Sequence, residues 1–193
     1  MQERSDYELI DNFFPSIMFT KLKEILLPSD YTEGEQEKYM ISWFYIPHPA
    51  SKTRSSRYGE FNESQTKLNL TNKKSFYFTH LIYKNTILSS FLYDKITPHL
   101  KPLNIKSLMR IKINLFPNSG EKVQEHGMHT DYDFNHKAGI LSINTCDGYT
   151  KLEDGTKIDS VANRMLLFDA SKPHSSTTCT NQPVRMNINF NYF

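Results

Sequence analysis

Apolar residues change their rhythm along this chain. Over residues 15–27, PSIMFTKLKEILL, the positions Ile17, Met18, Leu22, Ile25 and Leu26 recur at helical spacing, and Pro15 suits a first helical turn. The preceding YELIDNFF (7–14) reads as a short strand. ISWFYI (41–46) is aromatic and β-branched, which favours a strand, and FYFTHLIY (76–83) looks extended as well. ILSSFLYDKITPHL (87–100) predicts a second helix, interrupted at Pro98. Residues 47–75 are long and mostly polar. A structureless loop of that length is uncommon in a compact domain and often serves function, for example as a lid.

From residue 107 the period shortens to two. LMRIKINLF (108–116) alternates and reads as a strand. AGILSIN, GYTKL, TKIDSV, RMLLFD, HSSTTC and VRMNINFNYF follow, separated by the turn sequences CDG, EDG, SKP and NQP. Asp147-Gly148 and Asp154-Gly155 are hairpin signals that need no chemistry. Short strands at this spacing predict a β-sandwich or jelly roll with the two helices packed outside it. The expected class is therefore mainly β with flanking helices (α+β). With 193 residues and 38% hydrophobic content, the chain can bury one sizeable core, so one domain over 1–193 is expected.

Charge and cysteine content narrow the function classes. The net charge is +2 and the pI about 8.4, a mild excess without the dense basic stripe and interleaved aromatics of a nucleic-acid groove. Nucleic acid is accordingly a disfavoured partner. No stretch approaches the roughly 20 apolar residues of a membrane span. The N-terminal MQERSDYELIDNFF has early acids and no apolar run, which speaks against a signal peptide. Cys146 and Cys179 do not make a disulfide framework; two reduced, buried thiols in a cytoplasmic protein are expected.

The candidate chemistry lies in HGMHTDYDF (126–134). In an extended chain, His129 and Asp131 point to one face, their Cα atoms about 7 Å apart by the strand rise. They offer an imidazole nitrogen and a hard anionic oxygen. His174 is the best third ligand, because the separation from Asp131 leaves room for four strands that return in a jelly roll. Two histidines and one carboxylate leave open positions on an octahedral ion, the arrangement associated with non-haem Fe(II) oxygenases. A closed zinc site would want four protein ligands, usually with Cys. Eleven residues after His174 stands Arg185. On a strand it shares a face with Asn187, Asn189 and Asn191, while Val184, Met186, Ile188 and Phe190 share the other. A buried arginine needs an anionic partner, and a dicarboxylic co-substrate would provide one bidentately.

His129-Thr-Asp131, then His174, then Arg185, each near the end of a short strand, resembles the Fe(II)/2-oxoglutarate-dependent dioxygenases. The string NRMLLFDASKPHSSTTCTNQPVRMNINFNYF is especially similar to their prolyl-4-hydroxylase-like branch. The resemblance covers roughly residues 107–193 and implies a double-stranded β-helix, a cupin-like jelly roll. It implies that His129, Asp131 and His174 bind Fe(II), and that Arg185 binds the distal carboxylate of 2-oxoglutarate. Asn114 falls where a co-substrate contact is placed, and Phe116 stands where a Tyr often appears. Asn187 stands where many members carry a Ser. The implied reaction takes 2-oxoglutarate and O₂ to succinate and CO₂ and hydroxylates an unactivated C–H bond; ascorbate is admitted as an accessory. The substrate implied is a protein side chain, proline by analogy, or a small amino-acid-like molecule. Residues 1–106 would shape the substrate side of the 107–193 catalytic core.

Other readings compete. The same chemistry on a nucleobase, as in AlkB-like repair enzymes, finds a loose likeness in INLFPNSG. A jelly-roll module that binds a metal or small molecule without turnover is the third. His126 is read as an entrance or loop residue, and His136 and Asp133 as turn residues. His48, His80 and His99 are expected to be structural or exposed, and Trp43, Tyr45 and Phe76 to be core. Arg54 and Arg57 are expected on a solvated loop, and Arg164 in a structural ion pair. Oligomeric state is left open.

Overall fold

The computed structural model describes residues 6–28, 41–47 and 76–193. Strand β1 (Tyr7–Ile10) leads into helix α1 (Ser16–Leu26). β2 (Phe44–Ile46), β3 (Tyr77–Lys84), the two-residue β4 (Ile87–Leu88) and helix α2 (Leu92–Ile96) follow. The rest of the chain supplies β5 (Leu108–Pro117), β6 (Lys137–Ser142), β7 (Tyr149–Leu152) and β8 (Lys157–Asp159). It ends with β9 (Met165–Asp169), β10 (His174–Ser176) and β11 (Val184–Tyr192).

An eight-stranded sheet runs in the order β1-β9-β6-β11-β5-β3-β2, with β4 on β3, and a three-stranded sheet runs β10-β7-β8. Every pairing is antiparallel. Two isolated bridges, Glu125↔Thr177 and His129↔His174, lay the segment before Asp131 along the small sheet. The result is a jelly-roll β-sandwich. The N-terminal strands are hydrogen-bonded into its large sheet, β1 at one edge and β3 and β2 at the other.

Alternation sets the layers. On β11, Met186, Ile188, Phe190 and Tyr192 join Ile111 and Ile113 of β5 in a core that also holds Phe19, Leu22 and Leu26 of α1 and Leu92 and Ile96 of α2. Burying one such side chain contributes about 1.5–3 kcal/mol. A second cluster, with Ala138, Ile140, Leu152, Ile158, Leu166 and Phe168, lies between the sheets. The remaining residues of β11, Arg185, Asn187, Asn189 and Asn191, are buried on the inner face. Helix α1 buries a stripe at spacings of three and four, as its sequence predicts, and ends just before Pro28, which cannot continue it.

Three expectations are corrected. Residues 87–100 do not form one helix. Asn85 and Thr86 take positive φ (48° and 75°) and turn the chain into the β3–β4 hairpin, so Ile87 and Leu88 are exposed strand residues. Only Leu92–Ile96 is α-helical, followed by two 3₁₀ turns that carry Pro98 and Pro102. Tyr45 is not core: β2 is an edge strand, and Tyr45 is 58% exposed against Phe76 and Phe78. The strand expected over 41–46 is confined to Phe44–Ile46. The polar stretch from residue 48 to 75, with His48, Arg54 and Arg57, lies outside the described residues. Arg164 does form its structural pair, with Nε 2.6 Å from Asp11 Oδ1.

One side chain ties the N-terminal segment to the sandwich. Asn163, at φ 61°, accepts from Phe14 N–H through Oδ1 (2.9 Å) and donates from Nδ2 to the Phe14 carbonyl (2.8 Å). Its own carbonyl accepts from Phe13 N–H at 3.0 Å. Asn163→Ala strands two buried peptide groups and leaves a methyl side chain in a left-handed backbone. We expect a loss of about 2–4 kcal/mol, read as a lower urea midpoint. An unchanged midpoint would show that this junction does not hold the segment.

Candidate active site

His129 and His174 face each other across two antiparallel segments and exchange both backbone bonds, each N–H donating to the other's carbonyl at 2.9 Å. Directly opposed residues in such a ladder put their side chains on one face. The two imidazole rings lie with centroids 4.6 Å apart. Asp131, two residues beyond His129, completes a group whose ligand atoms all lie within 4.8 Å of one another. Strands β6, β7, β8 and β9 occupy the interval between Asp131 and His174. Donors on a single ion at bond lengths near 2.1 Å lie no more than about 4.2 Å apart, so small side-chain rotations close this set on one ion. Two nitrogens and one carboxylate oxygen suit a divalent metal such as iron and leave coordination positions free.

The electrostatics favour a cation. Burial would raise the Asp131 carboxyl, but the charges of Arg110 and Lys112 and a hydrogen bond from Asn191 outweigh it and hold the group well below the usual carboxylate range. Arg110 Nη2 lies 2.8 Å from Oδ1 as an ion pair. Asn189 and Asn191 donate their Nδ2 groups to Oδ2 at 3.0 and 2.8 Å. Burial also lowers His129, and it lowers His174 to about 4 with the help of neighbouring His129. Both imidazoles are thus neutral near pH 7 and can offer lone pairs.

Arg185 sits on the same inner face, 1% exposed. Its Nε donates to Ser160 Oγ at 2.6 Å, its Nη2 to Thr150 Oγ1 at 3.0 Å and its Nη1 to the Thr177 carbonyl at 3.3 Å. Its guanidinium carbon stands 5.6 Å from the centroid of the Phe116 ring. Among the described residues no carboxylate lies within ion-pairing distance. Burial pushes its pKa down to about 10. Gly148 makes the arrangement possible: a Cβ there would stand 2.6 Å from Arg185 Cδ and collide with the Thr178 carbonyl.

Asn114 and Asn187 are opposite each other in register, and Asn114 Nδ2 donates to Asn187 Oδ1 at 3.0 Å. Both are buried, and Asn114 Oδ1 has no partner. The amide pair bridges β5 and β11 between Arg185 and the residues that hold Asp131. His126 is buried beside this face, with Nδ1 3.0 Å from Ser176 Oγ and its ring 5.2 Å from Phe116. It is not one of the converging ligand groups. His136 is turned to the Phe134 carbonyl, 2.9 Å from Nδ1. His80 meets the Ser42 carbonyl at 2.8 Å, and His99 packs on Phe14. Cys146 and Cys179 are buried free thiols, with no disulfide between them. A groove of about 720 Å³, lined by Tyr7, His136, Phe168, Tyr192 and Phe193 among others, contains none of the three ligand side chains.

Sequence reasoning missed the supports: Ser160, Thr150 and Thr177 around Arg185, and Arg110, Asn189 and Asn191 around Asp131. A signal for some of them existed. Arg110, Lys112 and Asn114 alternate with Ile111 and Ile113, a polar inner face on a strand whose other face is core.

No protein-family model matches the chain, and no curated protein matches it in sequence. Its likeness is structural. A 2OG-Fe(II) oxygenase family oxidoreductase from Burkholderia pseudomallei superposes with a TM-score of 0.59 at 10% identity, over 97% of this chain and 84% of that one. The chain shares the fold of these oxygenases. The viral collagen prolyl hydroxylase of Paramecium Bursaria Chlorella virus-1 gives 0.52 at 12% identity, over 97% and 96%. The non-heme alpha ketoglutarate dependent epimerase SnoN from nogalamycin biosynthesis gives 0.58 at 10%, over 98% and 78%.

Groups that orient a metal ligand typically contribute 10–100-fold to metal affinity. Asn191→Ala removes the 2.8 Å bond to Asp131 Oδ2 and leaves Asn189 alone on that oxygen. The expected outcome is Co(II) binding about tenfold weaker, followed by the visible cobalt spectrum. Equal affinity in variant and parent would mean that Arg110 and Asn189 place Asp131 without it.

Proposed function

We propose that this chain is an Fe(II)- and 2-oxoglutarate-dependent dioxygenase that hydroxylates an unactivated C–H bond. The observation that carries the reading is Arg185: a buried guanidinium on the inner face of the His129–Asp131–His174 group, with no carboxylate among the described residues to neutralise it. A dicarboxylate with one end on Arg185 and the other toward the three ligands answers that need. The fold shared with 2OG-Fe(II) oxygenases supports it, and the viral neighbour was solved as a 2OG complex.

In this reading His129, Asp131 and His174 hold Fe(II), which with 2-oxoglutarate and O₂ supplies C–H hydroxylation coupled to release of succinate and CO₂. Arg185 binds the distal carboxylate as a bidentate donor. Ser160 and Thr150 fix the guanidinium so that little freedom is lost on binding. Asn114 and Asn187 offer amide groups to the middle of the co-substrate. Phe116 lines this pocket with an apolar ring where related enzymes often place a hydroxyl, so the amides take on the polar contacts. The substrate side falls to the N-terminal strands beside β5. A protein side chain, proline by analogy with the viral collagen prolyl hydroxylase, or a small amino-acid-like molecule is the proposed substrate class.

The test is anaerobic titration with Fe(II) and 2-oxoglutarate, watched for the weak charge-transfer band expected near about 500–530 nm for a chelated two-histidine, one-carboxylate centre. The wild type should show it, His129→Ala should lose it, and Arg185→Gln should need on the order of 100-fold more 2-oxoglutarate. No band at saturating iron would sink the oxygenase reading and favour a jelly-roll module that binds without turnover.

A further inference from the structure

The inner face of β5 carries a cation that neither the metal group nor the Arg185 pocket uses. Lys112 stands between Arg110 and Asn114 on that face, opposite Asn189 of β11 and Leu81 of β3. Asn189 donates to Asp131, so Lys112 is at the metal end of the interior. Four residues of strand, about 13 Å, separate it from Phe116, which lies opposite Arg185.

Lys112 meets no carboxylate among the described residues. Its nitrogen lies 5.9 Å from the centre of the Tyr77 ring. It is partly buried. Burial and the neighbouring Arg110 push its ammonium down to about 8, against the pull of Asp131. The charge balance around it is one-sided. Arg110 and Lys112 stand beside one inner carboxylate, Asp131, and Arg110 is already paired with it. A divalent metal and a dianionic co-substrate cancel each other, so the cationic excess persists in the loaded site. A half-buried ammonium without a counter-charge is unfavourable unless a ligand supplies one.

We infer that Lys112 is the docking point for an anionic group of the primary substrate, a carboxylate in the first instance, held beside the metal ligands. The inference rests on the function proposed above and names a substrate class within it: an acid. The same chemistry could come from the C1 carboxylate of the co-substrate, and the experiment separates the two sources.

The full-length protein, labelled with ¹³C-lysine and loaded with Zn(II), is titrated first with 2-oxoglutarate and then with N-acetylglycinate or its neutral amide, N-acetylglycinamide. The Lys112 ε-methylene signal, assigned by its loss in both Lys112→Met and Lys112→Arg, is the readout. We expect N-acetylglycinate to shift it saturably after 2-oxoglutarate is bound and the amide to leave it in place. We also expect Lys112→Met to bind 2-oxoglutarate within about threefold of wild type. A saturable shift with 2-oxoglutarate itself, joined to affinity more than about tenfold weaker in Lys112→Met, would assign the lysine to the co-substrate and overturn the inference. No saturable shift with N-acetylglycinate, or an equal shift with the amide, would overturn it as well. The charge-transfer band of the wild type is read beside these data. A missing band with a retained carboxylate response sinks the oxygenase reading alone, and the reverse pattern sinks only the Lys112 subsite.

Discussion

The Asp131 carboxylate lies in the interior with Arg110 at 2.8 Å on one oxygen and the amides of Asn189 and Asn191 on the other. Taking a carboxylate out of water costs several kcal/mol, and partners on both oxygens are what offset it. Those partners come from β5 and β11, so the HxD segment cannot settle unless the two central strands of the large sheet present polar side chains inward. That requirement propagates. With Arg185, Asn187, Asn189 and Asn191 turned in, β11 can bury hydrocarbon only on its outer face. The outer face therefore needs a cover, and α1 and α2 with their Phe19, Leu22, Leu26, Leu92 and Ile96 provide it. One ionised group thus explains both the polar interior and the position of the helices.

An interior of this kind stores free energy that a ligand can release. Arg185 is fully buried with two hydroxyls and one carbonyl as acceptors, and hydrogen bonds to neutral oxygens offset only part of its desolvation. The lowered pKa of the guanidinium expresses the remainder. Whatever anion binds there gains both its own hydrogen bonds and the relief of that strain, and binding shifts the folding equilibrium by mass action. Such a site opposes the stability of the empty fold, a familiar trade between stability and function. The hydrocarbon cores on the two sides of the large sheet offset it.

Much of this was legible in the chain. Period-two alternation after residue 107 marked the strands, because a strand with one face on a core must alternate. Strand geometry put His129 and Asp131 on one face and left room for four strands before His174, the best candidate for a third ligand. The errors have physical causes. Residues 87–100 contain apolar spacing compatible with a helix, but Asn85 and Thr86 adopt left-handed conformations that only a hairpin uses here, and nothing in the local pattern forces them. Tyr45 looked like core because it is aromatic; its exposure is a consequence of β2 being the last strand of the sheet, which pairing order decides and composition does not. The sequence does not single out Arg110 and Lys112, because a strand with one polar face looks the same whether that face meets water or a lined cavity. Ser160, Thr150 and Thr177 converge on Arg185 from different strands, and no spacing in the sequence encodes that meeting.

The same topology separates the three candidate ligands from the N-terminal strands. In the jelly-roll part, His129, Asp131, His174 and Arg185 are held by pairings among β5, β10, β11 and the HxD segment, all deep in the sandwich. β3 and β2 lie on the other side of β5 and extend the sheet beyond these pairings. Lys112 is on the strand between the two regions, opposite Asn189 toward the metal side and Leu81 toward the N-terminal side. A side chain there can answer to a substrate without disturbing the ligands, since Asp131 draws its nearest bonds from Arg110, Asn189 and Asn191. Chains that share this fold at 10–12% identity can therefore differ in the residues along this strand and its N-terminal neighbours. Lys112, with no carboxylate at ion-pairing distance among the described residues, is the side chain proposed to bind an acid there.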